Sequence, residues 1–350
     1  MSESEPEPVP IRRRPTIADV AKRAGVSSAA VSFAINDRPG VSPDTRERIL
    51  EVARELGWRP SASARALTEA RTRAIGFVLA RDPAQIELDS FFVRFLSGLE
   101  RTLSPADYAL LLQLVPEGPA LSAYERLAYA GRVDGFLLAD VEVDDPRFAL
   151  LQDAGLPVVL AGHPVGDCPF PWVETRHAEG MTAAVEHLRG LGHERIAFLG
   201  GSPDHEHVQV RLGRWQRAAG DAAGLVVHAH DGETAVAARE VLGLAGGPDA
   251  EFARPTAIVC TSDALALTVV AAAREAGLSV PDDVSVVGFD DSPLAALASP
   301  ALTSVRVDWA EFGAAAAEVL LAAINGEEPP PYSPSAPELV VRASTATARR

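Results

Sequence analysis

The 350 residues suffice for two or three compact units, and a composition of 47% hydrophobic and 23% charged residues is that of an ordinary globular protein. No apolar run nears the roughly 20 residues of a bilayer span, the acidic, Pro-rich stretch 1–10 is unlike a signal peptide, and two cysteines, Cys168 and Cys260, exclude a disulfide framework and point to the cytoplasm. The net charge of −16 is uneven: residues 11–73 hold 13 Lys/Arg against 7 Asp/Glu while residues 74–350 carry −19, so only the front end suits phosphates.

Residues 1–14 read as a disordered tail. Thr16 then opens a short helix to Ala24, with Asp19 completing a capping box and Ile17, Val20, Ala21 and Ala24 on one face. Gly25 ends it through a left-handed turn, and Val26 plugs the corner. Ser27 caps a second helix, Ser28 to Asn36, packed through Ala30, Val31, Ala34 and Ile35. Ser42-Pro43-Asp44-Thr45 starts a third, whose apolar side is Ile49, Val52, Ala53 and Leu56, stopped by Gly57. Three short helices with a Gly turn between the first two make a helix-turn-helix over residues 15–59. Residues 60–73 follow as a linker; within it Pro60 to Leu67 is Ala-rich and marginal as an isolated helix.

Beyond residue 74, strands and helices alternate. Nine buried strands are expected at Ile75–Ala80, Tyr108–Val115, Val133–Ala139, Pro157–Ala161, Arg195–Gly200, Leu225–His230, Thr256–Thr261, Ser285–Phe289 and Thr303–Val307. Ala-rich helices lie between many of them, at Ala178–Leu191, Ala264–Ala276 and Ala310–Ile324 among others. This predicts an α/β body of parallel sheets covered on both faces, in two similar lobes, with ligands beyond the carboxyl ends of the strands. Residues 343–350 read as a frayed tail.

The stretch TIADVAKRAGVSSAAVSFAINDRPGVSPDTRERILEVARELGWRPSASARAL (16–67) resembles the lactose-repressor (LacI/GalR) family. The segments HLRGLGHERIAFLGG (187–201), RLGRW (211–215), TSDALAL (261–267), VPDDVSVVGFDDSPLA (280–295) and LTSVRVD (302–308) extend the likeness over nearly the whole chain. The resemblance implies that Thr16, Ser27, Ser32 and Asn36 clamp DNA phosphates and that the second helix enters the major groove with Ser28, Ala29 and Phe33 at base edges. Relatives often carry long polar side chains there. Ala and Phe offer only apolar contact to features such as the thymine methyl, so direct readout by this helix is expected to be weaker. A Phe33 buried in the core is the competing reading. Residues 60–67 resemble a hinge helix that orders on the operator, with Leu67 as a minor-groove wedge and Ala64 allowing two hinges to approach; a linker with one exposed leucine is the alternative.

For the body, the resemblance implies a periplasmic-binding-protein-like core, residues 74–350, with a cleft between lobe 1 (about 74–173 and 306–327) and lobe 2 (about 174–305 and 328–345). Arg211 would grip ligand oxygens with its fixed fork, and Asp290 would accept bonds from ligand hydroxyls or amines. Ser262 stands where many relatives have Asn, and Val307 where they are often polar, so the pocket is altered. Arg81, after the first strand, could line the same cleft. Stacking of Arg211 on a Trp, and capping by Asp290, compete with these roles; Asp263 reads as a cap for the helix at Ala264.

No GxGxxG, GxxxxGK[ST] or GxSxG motif supports an enzyme, and no cofactor is expected. The HxH pairs His205/His207 and His228/His230 lack a committed third ligand, so solvated loops are expected rather than a metal site. The sequence thus predicts a homodimeric repressor that binds a near-palindromic double-stranded operator, is controlled by a small effector of sugar class, and does not touch membranes. A corepressor-dependent regulator sensing a nucleobase or other metabolite, and a cytoplasmic solute-binding protein with a vestigial headpiece, are the alternatives. A sugar-processing enzyme is a third, for which no nucleophile or base is evident.

Overall fold

The computed structural model describes residues 15–58, 71–80, 90–115, 120–142, 145–164, 167–203, 205–230, 232–244 and 254–349. The readings made for residues 1–14, for Ala64 and Leu67, and for Arg81 lie outside the described residues. The chain divides into two units, residues 1–72 and 73–350.

Among the described residues of the first unit, three helices form around one small core: α1 (Ile17–Ala24), α2 (Ser28–Ile35) and α3 (Pro43–Glu55). Each start is fixed by a side chain. Thr16 and Asp19 form a reciprocal capping box, Ser27 accepts the Ala30 amide, and Ser42 accepts the Thr45 amide ahead of Pro43. Gly25 takes φ 68° and ends α1, a conformation that costs a residue with a Cβ. Val20, Ala21 and Ala24 meet Val31 and Ala34, and Ile49, Val52 and Ala53 close the core from α3. Ala30 and Ile35 are only partly buried, and Asn36 is the C-cap of α2 rather than its last turn.

Among its described residues the second unit carries two sheets. The first is ordered β2-β1-β3-β4-β5 and is parallel throughout: β1 (Ala74–Ala80), β2 (Ala109–Val115), β3 (Gly135–Leu138), β4 (Val158–Ala161) and β5 (Trp172–Val173). Helices α4 (Ser90–Leu103), α5 (Leu121–Tyr129) and α6 (Arg147–Ala154) lie between its strands in sequence. The chain then passes to the second lobe: α7 (His177–Gly190), β6 (Ile196–Gly200), α8 (Glu206–Ala219), β7 (Ala223–His228), α9 (Thr234–Val241), β8 (Ala257–Cys260), α10 (Asp263–Glu275), β9 (Ser285–Phe289), α11 (Pro293–Leu297) and β10 (Thr303–Arg306). It returns to the first sheet as α12 (Trp309–Asn325) and ends the second as the edge strand β11 (Glu338–Val340). That sheet is ordered β11-β10-β9-β8-β6-β7, parallel except for β11 against β10.

All nine expected strands are present. Every residue of β3, β4, β6, β8 and β9 is buried, the physical reason their sequences read as unbroken apolar runs. The pattern missed β5 and β11, two and three residues long, which are too short to show a period.

Helices α4 and α12 cross almost backbone to backbone. A Cβ on Gly98 would stand 2.0 Å from the Ala310 carbonyl oxygen, and one on Gly313 would stand 2.2 Å from that of Phe95. Glycine is required at both positions because the obstacle is main chain, which cannot rotate away.

The frayed tail expected at residues 343–350 is a correction. Over the described residues to 349 this segment is stitched into the second lobe. The fully buried Ser344 accepts the Thr303 amide with its hydroxyl oxygen and donates to the Val286 carbonyl, and its own carbonyl accepts the Val286 amide. His193 bonds Thr256 Oγ1 and the Ala346 carbonyl through its two ring nitrogens, while Arg349 pairs with Asp282 and Asp283. The small polar composition that suggested fraying instead satisfies buried donors. Among the described residues no helix is long and apolar enough to cross a membrane.

Candidate functional site

Residues singled out in the sequence gather in two places. The first is the outer face of α2. Ser28, Ala29, Ser32, Phe33 and Asn36 recur at helical spacing, and Ser28 and Ala29 are exposed. Phe33 is 39% exposed and rests on the Gly40 turn, so the core reading does not hold. Asn36 Nδ2 donates to the Ser32 carbonyl at 2.9 Å, which holds the amide side chain over the last turn. The hydroxyls of Thr16 and Ser27 already work as caps. Thr16 Oγ1 donates to Asp19 Oδ2 at 2.7 Å, whereas Ser27 Oγ accepts from the Ala30 amide at 3.1 Å and keeps its O–H for an outside acceptor. Arg23 of α1 pairs with Glu55 of α3 at 3.0 Å across the unit.

The second place lies beyond the carboxyl ends of the strands of the second unit. Arg211, on α8, is 6% exposed, and three neighbours fix its plane. Its guanidinium lies 4.0 Å over the Phe289 ring, Nη1 donates to the Thr261 carbonyl at 2.6 Å, and Nε donates to His177 Nδ1 at 3.4 Å. The stacking partner is therefore Phe289, and not the neighbouring Trp215, whose ring packs against Phe198 in the core. His177 retains some solvent contact but lies deep among neighbouring atoms. That burial, with Arg211 beside it, pushes its pKa well below the usual histidine range. A neutral ring that accepts at Nδ1 carries its proton on Nε2.

Asp290 follows β9 with φ 96°, and Asp291 comes next at φ 46°, both in the sparsely populated left-handed half of the map. Trp309 Nε1 donates to Asp290 Oδ1 at 3.2 Å, and Phe91 meets the Trp309 ring edge-to-face at 4.7 Å. Arg94 on α4 donates to the carbonyls of Asp290 and Asp291, at 3.4 and 2.8 Å. Elements of the first lobe thus hold the Asp290 corner of the second. The Asp291 carboxylate is bound by Arg342 and Arg306; although burial opposes ionisation, these two arginines hold its pKa below the usual carboxylate range.

Two assignments at the start of α10 change. Ser262 caps that helix by accepting the Leu265 amide at 3.2 Å. Asp263, expected to be the cap, instead turns inward at 3% exposure and accepts from the Ser292 amide and the Ser304 hydroxyl, each at 2.6 Å. Gly288 makes room for it, since a Cβ there would stand 2.3 Å from Asp263 Oδ1. Val307 is buried in the core cluster.

Sequence reasoning missed His177, Phe289, Thr261, Phe91, Arg94 and Trp309. Thr261 and Phe289 lie inside the recognised segments TSDALAL and VPDDVSVVGFDDSPLA, and Trp309 adjoins LTSVRVD; those were the available signals. The His205 and His207 rings stack at 5.6 Å, and among the described residues no group of three or more His, Cys, Asp or Glu side chains is placed to hold a metal ion.

Comparison with known proteins places this geometry. Residues 16–61 match the model of bacterial regulatory proteins of the lacI family, and residues 185–345 match that of a periplasmic binding protein-like domain. The HTH-type transcriptional regulator MalR of Streptomyces coelicolor is 36% identical over 346 residues, covering 95% of this chain and 97% of its own. CelR of Thermobifida fusca, another HTH-type transcriptional regulator, is 34% identical, covering 91% and 95%. Among solved structures, a transcriptional regulator CelR–cellobiose complex superposes with TM-score 0.67 at 31% identity, over 95% of this chain and all of that one. The lac repressor dimer bound to operator and the anti-inducer ONPF shares the fold, with TM-score 0.75 at 24% identity over the same shares.

Proposed function

Since the chain belongs to the LacI family of bacterial regulatory proteins, and is thus a DNA-binding transcriptional regulator with ligand-controlled activity rather than an enzyme, we propose that it is a homodimeric repressor that a sugar releases from its operator. Thr16, Ser27, Ser32 and Asn36 position the α2 helix on phosphates, with Ser28, Ala29 and Phe33 toward base edges. Ala64 and Leu67 form the paired hinge, with Leu67 wedged into the minor groove. The observation that supports the effector class is the Arg211 fork held flat on Phe289 with Asp290 and Trp309 nearby. An arginine fixed beside a carboxylate suits a polyol, which bonds to such groups through its hydroxyls. The likeness to a regulator solved with cellobiose supports the same class. Arg81 and Ser262 complete the proposed lining, Ser262 through its O–H, since its oxygen already accepts the helix amide.

Effector and operator are coupled by linkage: a sugar that favours the lobe arrangement separating the hinges lowers operator affinity, and operator lowers sugar affinity by the same factor. The test selects an operator from random duplexes with the full chain, then titrates it with cellobiose and maltose. Affinity that falls steeply with salt and with added sugar, the sugar effect vanishing in Asp290→Ala, is the expected result. Salt-independent binding would remove the DNA reading, and indifference to every sugar would remove the effector class. Leu67→Ala should cost operator affinity far more than nonspecific affinity; equal losses would contradict the wedge.

A further inference from the structure

We propose that Glu206 is a ligand contact in the cleft, accepting a hydrogen bond from a hydroxyl of a neutral sugar, and that effector binding there expels a proton. This rests on the cleft reading above.

Glu206 opens α8, the helix that carries Arg211, and has no part in the helix's caps. Its Oε1 is shielded from solvent and, among the described residues, has no hydrogen-bond partner; the same holds for Nδ1 of the adjacent His205. Two neighbouring buried polar atoms without partners are uncommon in folded proteins, where such groups are nearly always matched. A sugar hydroxyl both donates and accepts, so it satisfies a carboxylate and an imidazole nitrogen alike.

The charges around Glu206 fix the class of ligand. His163, just after β4, pairs with Glu174, just after β5, at 2.6 Å, and this pair acts on Glu206 from the first lobe's side while Arg211 acts from its own helix. His177 lies in the same electrostatic neighbourhood with His163, His207 and Arg211. Glu174, and Glu206 once ionised, repel an incoming phosphate or carboxylate. A neutral polyol meets no such repulsion.

Burial first, and then Glu174, push the Glu206 carboxyl up to about 7 against the opposing pull of His163 and Arg211. With no ligand the group is mostly protonated at pH 6 and mostly ionised at pH 8. A hydroxyl donor favours the ionised form, so the complex has the lower pKa and binding releases a proton. If the ionised form alone binds, affinity at pH 8 exceeds that at pH 6 by about tenfold.

The test starts from the ligand-free full chain. Carboxyl-carbon NMR of glutamate-labelled protein, with Glu206→Gln to assign the resonance, should show titration near neutrality; titration in the ordinary glutamate range overturns the inference. Cellobiose, maltose and glucose 6-phosphate are then titrated calorimetrically at pH 6 and 8 in two buffers of different ionisation enthalpy. A neutral disaccharide should bind about five- to tenfold tighter at pH 8 and should release more protons on binding at pH 6, Glu206→Gln should abolish both differences, and Glu206→Asp should keep part of them. Sugar binding indifferent to pH, a pH effect that survives Glu206→Gln, or tighter glucose 6-phosphate binding at pH 6 overturns the inference while leaving the sugar reading intact. No sugar binding at either pH overturns both.

Discussion

Asp263 is almost sealed from water, and each of its oxygens receives a donor at 2.6 Å, one from the Ser292 amide and one from the Ser304 hydroxyl. It ties α10 to the loop after β9 and to β10, just beside the Asp290 corner. Asp263→Ala would leave a buried amide and hydroxyl unmatched, and a loss of about 3 kcal/mol in urea unfolding is expected. Burial holds His187 and His193 below the ordinary histidine value, and His193 also binds the 343–349 segment through Ala346. The unfolded chain therefore takes up protons near pH 6.5 that the folded chain resists, so stability is full above that pH and erodes as pH falls below it. The urea midpoint should drop between pH 7.5 and pH 5, with a shallower drop in His193→Gln. The Ser262/Asp263 exchange of roles was not legible in the sequence. Both residue types cap helices, and only the distant Ser292 and Ser304 decide which one turns inward.

At the scale of elements, the caps were legible and the crossing was not. Thr16, Ser27 and Ser42 act on amides three residues away, so their chemistry lies within one short window of sequence. Ser27→Ala should cost about 1 kcal/mol and is read by thermal unfolding of the headpiece transition. Gly98 and Gly313 look like ordinary helix-weakening glycines until α4 and α12 are brought together, because each is set against backbone far away along the chain. Gly313→Ala improves intrinsic helix propensity yet should destabilise by about 1–3 kcal/mol, because a methyl cannot share space with the Phe95 carbonyl. A gain in stability would show that the helices separate freely. The fully buried strands β3, β4, β6, β8 and β9 were legible from continuous apolar runs. The aromatic contacts Phe91–Trp309 and Arg211–Phe289 were not, since they join residues from different elements.

At the scale of the whole second unit, the two lobes meet through Arg94 and Trp309 at the Asp290 corner. Arg94→Met removes both donors from one side of that seam. The expected outcome is a several-fold weaker response of operator affinity to sugar, with operator affinity itself little changed when sugar is absent, measured by fluorescence anisotropy. An unaltered response would mean that the seam does not carry the coupling. The topology adds a constraint of a different kind. The first sheet borrows α12 from beyond β10, and the second is completed by β11 and residues 343–349, so the chain passes between lobes three times. A single genetic exchange near residue 73 transfers an entire DNA reader to another gene, whereas no single exchange transfers an entire lobe. The topology therefore leaves the DNA reader separable by one cut, while the two lobes come apart only with three.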